Sequence, residues 1–329
     1  MNVFLSLSYL DPVNTSITDN ATLVQCPIKL PLASWDSSSF EAAAKVSTLV
    51  AVTVNFITMP FTIFFNALII FLVWKNPSLQ IERVIVLAYL ALADLMVGLL
   101  CQPLFIARGV SQLKTNSMNC DINNGYISSQ FFFGITASIQ LALVTYERYV
   151  AIIHPYQYPT RITVKRLTYA TIVIWSLNMT VSILLFALLA FGEDIWYIDI
   201  LYIPLGIFLT SAMVYWYVCI FVAIRRQRKI GQQQQNVNMN NVHTQQNYKG
   251  AITAALLLGC FLVSLIPLLC TFLLKRVLGS GFSNSVFLFL RPWGLTFVQL
   301  ASFINPIIYG LRVRELRRKC FQLVFRIQH

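Results

Sequence analysis

Apolar residues gather along this chain in seven long runs, at about 47–74, 84–107, 122–153, 167–191, 196–224, 251–274 and 286–309. Each is long enough to cross a hydrocarbon core, which takes roughly 20 residues of helix. The runs lack the two-residue alternation of an outer-membrane barrel strand. A helix satisfies its own backbone groups in lipid, so the pattern predicts an all-α membrane protein built as a seven-transmembrane helix bundle. Residues 1–46 precede the bundle as a polar tail, 47–310 make up the bundle, and 311–329 follow it. Inside that last stretch Leu311, Leu316, Leu323, Phe321 and Phe325 can share one face while Arg and Lys take the other, which predicts an interfacial amphipathic helix.

Composition narrows the class. Hydrophobic residues make up 57% of the 329 and charged residues 11%, and the mean hydropathy is +0.68. Soluble domains carry about 25% charge, so a soluble enzyme is excluded. The formal net charge of +12 has a topological reading. Most basic residues fall in one set of connections, which includes Arg161, Lys165, Arg225, Arg226, Arg228, Lys229, Arg317 and Arg318. The positive-inside rule puts that set in the cytoplasm, the amino terminus outside and the carboxyl terminus inside. Attraction to lipid headgroups accounts for the rest, and nucleic acid is not an expected partner. Asn14 and Asn20 begin glycosylation sequons in the tail. A third sequon, at Asn178, lies inside the fourth run and should stay unmodified. Residues 227–248, rich in Gln and Asn, read as a polar flexible cytoplasmic loop that either contacts a partner or is a tolerated insertion. Cys320, beside basic residues at the membrane, is either a palmitoylation site or a plain thiol.

Few polar residues interrupt the runs. Asn66, Asp94, Ser302 and Asn305 lie at mid-membrane depth. If their helices meet, they form a cluster able to hold a proton or a small cation, or else they tie helices together. Glu147-Arg148-Tyr149 closes the third run, where opposite charges can pair in one conformation and part in another. Pro267 and Pro306 each remove a backbone hydrogen bond from their helices, favouring kinks.

Taken together and in order, these residues resemble the rhodopsin-like (class A) G-protein-coupled receptors. The likeness rests on Asn66, on Leu90-Ala91-Leu92-Ala93-Asp94, on Glu147-Arg148-Tyr149 with Pro155 beyond it, on Trp175, Tyr217, Phe261 and Pro267, and on Asn305-Pro306-Ile307-Ile308-Tyr309. It implies a receptor at the plasma membrane that passes an extracellular ligand signal to a heterotrimeric G protein, with no cofactor. The implied mechanism swings the sixth helix outward, frees Arg148 from Glu147 and turns Tyr217 and Tyr309 inward. The chain departs from the family pattern at Leu265 for the usual Trp, Leu209 for the usual Pro, and Ala137 and Ala301 in the sodium pocket. The family's outer cysteine of the third helix has its nearest counterpart in Cys120, which either pairs with Cys26 or stays free. A short second outer connection without cysteine is similar to that of the cannabinoid, melanocortin and lysolipid receptors.

By the same likeness, Gln130, Phe133, Phe208, Arg291, Trp293 and Gln299 would line a ligand pocket. Gln130 stands where amine receptors carry Asp, and Gln299 where opsins carry the retinal Lys. Arg108 and Arg291 either favour an anionic ligand or reach to headgroups. The competing class is a transporter or channel with Asp94 as its ion site, which should show broken helices or paired repeats.

Overall fold

The computed structural model describes residues 38–115, 119–190, 196–233, 242–278 and 284–324. Seven long helices cross it: α1 (Ser38–Lys75), α2 (Glu82–Met96, a π-helical turn Val97–Cys101, then Gln102–Thr115), α3 (Cys120–Ile153), α4 (Val164–Ala190), α5 (Trp196–Gln233), α6 (Val242–Leu278) and α7 (Asn284–Arg312). An eighth, α8 (Arg314–Val324), follows at once. Each of the seven is long and apolar enough to span a bilayer. The chain is a multi-pass membrane protein.

Helix α3 is central and packs on α2, α4, α5 and α6, while α7 packs most extensively on α6 and α1. The core is an apolar column of residues such as Leu87, Leu90, Val144, Leu257 and Tyr309. Large apolar side chains that the bundle leaves outside, among them Phe56, Phe64, Ile172 and Leu177, form the surface that lipid covers. Polar side chains add specific ties. Asn178 donates to the Phe132 carbonyl at 2.7 Å and to Thr136 Oγ1 at 2.8 Å, which fixes α4 to α3 and buries that sequon in the bundle. At Gly294 a methyl group would come within 3.0 Å of Leu268 Cα, so glycine sets the close approach of α7 to α6 one residue past Pro267.

The π-helical turn in α2 has a local cause. Pro103 cannot donate to the Leu99 carbonyl, and its ring crowds that carbonyl; widening the turn relieves both. One extra residue rotates everything beyond it by about 100°. Gln102, Phe105 and Arg108 follow this turn, and all three are buried.

Two expectations change here. The polar stretch 227–248 is helical on both sides, since α5 continues to Gln233 and α6 begins at Val242; good helix formers such as Gln extend helices past the lipid boundary. In α8, Leu316 is buried against the bundle as expected, whereas Phe321 is exposed, as is Leu311, which belongs to the last turn of α7. Arg83 donates to Glu315 at 2.7 Å and ties α8 to the start of α2.

Candidate functional site

The site begins at the end of α3. Glu147 and Arg148 are adjacent in sequence, and the Arg148 guanidinium donates from Nε and Nη2 to the two oxygens of the Glu147 carboxylate. Both side chains are buried. A buried ion pair holds only when its remaining lone pairs are also satisfied. Here a third residue helps: Tyr158 Oη donates to Glu147 Oε1 at 2.6 Å. Tyr158 opens a one-turn helix, Tyr158–Arg161, which a 3₁₀ turn at Pro155–Gln157 sets beneath α3. Burial, and then the Glu147 carboxylate, raise the Tyr158 hydroxyl well above the usual tyrosine pKa, so it remains a donor.

Helix α6 closes over this pair. A Cβ on Gly250 would stand 2.5 Å from Arg148 Nη1, so the α6 backbone lies directly on the guanidinium. Ile152 of α3, Ile220 of α5 and Ala251 of α6 form an apolar seal beside it. Tyr149 points away and joins Tyr146 and Trp216 in an aromatic group toward α5. Tyr217 packs against the main core. Pro267 lies within α6, and its carbonyl accepts from Thr271 Oγ1 at 2.7 Å.

Deeper in the bundle the four mid-membrane polar residues meet. Asn305 Nδ2 donates to Asp94 Oδ2 at 3.0 Å. Asn66 Nδ2 donates to the Thr62 and Ser302 carbonyls at 2.9 and 3.1 Å. Tyr309 Oη donates to Asn66 Oδ1 at 3.2 Å, so Tyr309 already points inward with Arg148 paired. Asp94 is fully buried, and its Oδ1 has no hydrogen-bond partner among the described residues. Pro306 follows Asn305 within α7.

At the end opposite Arg148 the residues proposed for a pocket divide. Gln299 Nε2 donates to Gln130 Oε1 at 3.3 Å and to Tyr126 Oη at 3.4 Å, making one polar group between α3 and α7. Arg291 lines a small cleft with Arg108, Thr48, Phe105, Gly109, Gln112 and Pro292. Phe133 instead packs in an aromatic knot with Phe132, Val97 and Cys101. Trp293 is half-buried on α7 outside that cleft. Phe208 is corrected: it is 69% exposed on the outer face of α5, where an apolar ring meets lipid. Arg108 is also not a headgroup-reaching residue, being only 8% exposed with its guanidinium over the Tyr126 ring at 5.5 Å.

Cys120 is disulfide-bonded, and the other described cysteines are free thiols. Cys26, Asn14 and Asn20, as well as the short connection at 192–194, lie outside the described residues. Cys320 is half-buried against the core, and burial raises its thiol pKa. Neither Tyr158 nor Gly250 was marked by the sequence. A tyrosine one short loop beyond the ERY run was the available signal for the first.

The bundle thus holds a buried ion pair under α6 at one end and a polar cleft at the other. The family profile described as "7 transmembrane receptor (rhodopsin family)" matches residues 65–309, and the chain belongs to that family. Trace amine-associated receptor 13c of Danio rerio is 26% identical over 77% of this chain and 79% of its own length. The histamine H2 receptor of Cavia porcellus is 26% identical over 71% and 68%. Melanocortin receptor 5 of Mus musculus is 24% identical over 79% of each. The chain is a G-protein-coupled receptor, and the transporter or channel alternative is disfavoured.

Proposed function

We propose that this receptor transmits an extracellular ligand signal to a heterotrimeric G protein by an outward movement of α6, with the Arg148 end in the cytoplasm. The observation that carries this is the Arg148–Glu147–Tyr158 cluster capped by Gly250. In the present arrangement α6 covers Arg148; moving it away exposes Arg148 and opens a cavity for the transducer. A ligand drives that change only through higher affinity for the open shape. The basic connections support the orientation, and membership of the receptor family supports a plasma-membrane location.

The finer features fit the same frame. Cys120 pairs with Cys26, anchoring the extracellular tail that carries glycans at Asn14 and Asn20. The Asp94 cluster holds a proton or small cation that links α2 to α7. Cys320 is lipidated where α8 meets the bilayer, and membrane lipids cover the basic face beside it. The amine named in two relatives does not transfer, because Gln130 offers an amide bonded to Gln299 in place of a carboxylate. A promiscuous G-protein reporter in cells expressing the full chain tests the reading. Ligand-evoked or variant-evoked nucleotide exchange supports it; substrate flux without exchange refutes it.

A further inference from the structure

The arginine-bearing cleft is the feature that the signalling account leaves unused. It lies between α1, α2 and α7 at the end opposite Arg148 and is lined by Arg108 and Arg291. Two guanidiniums facing one small space repel each other and lose hydration there. Such an arrangement is stable when an anion joins them. Among the described residues no carboxylate pairs with Arg108, and its buried Nε has no hydrogen-bond partner. Its guanidinium lies over the face of Tyr126. Buried polar atoms that the fold itself does not satisfy mark a place built for something polar.

We propose that this cleft binds the oxyanion of a small organic ligand, a carboxylate or a phosphate monoester, with Arg108 as the principal donor and Arg291 as the second. A planar guanidinium fork matches either oxyanion with paired hydrogen bonds. The walls suit an organic body: Phe105 and Pro292 are apolar, while Thr48 and Gln112 add hydroxyl and amide groups. The enclosed space is about 20 Å³ for the centre of a water-sized group, room for the oxyanion head itself, with the organic body lying in the open mouth. The inference rests on the receptor reading for its consequence, though binding can be measured without it.

The test uses the purified full chain in detergent and follows thermal unfolding with four probes: benzoate, succinate, inorganic phosphate and lysophosphatidate. Anion binding to the folded state raises the midpoint with concentration. Stabilisation by the first two alone assigns a carboxylate ligand. Stabilisation by inorganic phosphate or lysophosphatidate assigns a phosphate ligand, and the lipid acting alone identifies a headgroup source. Arg108→Gln should weaken the effect at least tenfold, and Arg108→Lys should restore part of it. Gln112→Glu serves as the variant that does not depend on losing a buried charge. Its carboxylate would occupy the arginines, so the unliganded midpoint should rise and the anion response should vanish. No stabilisation by any probe, or equal stabilisation in Gln112→Glu and wild type, overturns the proposal. Basal signalling of Tyr158→Phe, measured in parallel, reports on the receptor reading independently, so the two failures are distinguishable.

Discussion

Tyr158→Phe removes a single hydroxyl and leaves the ring in place. That hydroxyl donates to a buried, ionised carboxylate at 2.6 Å. Hydrogen bonds to charged groups contribute about 1.5–3 kcal/mol. The bond belongs to the closed shape, in which Glu147 is held by both Arg148 and Tyr158; when Arg148 leaves, the cluster that positions the carboxylate is broken. Losing the bond therefore penalises the closed shape more than the open one. At about 1.4 kcal/mol per factor of ten, the lower end of the range shifts the open-to-closed ratio about tenfold. A receptor open about 1% of the time would become open about 10% of the time. The assay is guanine-nucleotide exchange in membranes without added ligand, normalised to surface receptor. Basal exchange should rise about tenfold while expression changes little. A variant with a lower melting temperature and unchanged basal exchange would refute the reasoning. In that case the bond would stabilise both shapes equally and take no part in the switch.

Further variants probe neighbouring parts. Gly250→Ala places a methyl group against Arg148 Nη1, so α6 or the guanidinium must move; basal exchange should increase several-fold in the same membrane assay. Arg148→Ala should abolish exchange, also in the Tyr158→Phe background, with receptor still reaching the surface by antibody labelling. Asp94→Asn leaves the volume intact but changes the acceptor of Asn305; a dose–response or basal level identical to wild type would remove Asp94 from the mechanism. Gly294→Val forces a side chain into the Leu268 backbone and should lower thermal stability by about 1–3 kcal/mol, read from unfolding midpoints in detergent.

Hydropathy located every span but not the helix ends. The first apolar run begins at 47, yet α1 starts at Ser38; the sixth spans 251–274, yet α6 covers Val242–Leu278. Apolar residues mark what touches lipid or core, whereas backbone hydrogen bonding continues into polar sequence. The ERY and NPxxY residues were legible because their types are unusual at membrane depth. The capping roles of Tyr158 and Gly250 were not, because they depend on where a loop and a neighbouring helix come to rest. Arg108 shows the same limit. Its place near the outer end of α2 reads as a rim position free to reach headgroups; only the packing of Tyr126 against it shows that it is buried. Phe208 failed for the converse reason, since an aromatic residue is equally at home facing lipid or a pocket, and only helix rotation decides.

The account stands on two shapes of one bundle, distinguished by the distance of α6 from its neighbours beside Arg148. Spin labels at Arg166 of α4 and Ile252 of α6, on a background with the free cysteines replaced and Cys120 kept, would report that distance directly. In Tyr158→Phe bound to nucleotide-free G protein, the distribution should gain a longer component that wild type alone scarcely populates. A single unchanged distance in a sample that nevertheless exchanges nucleotide would contradict the account.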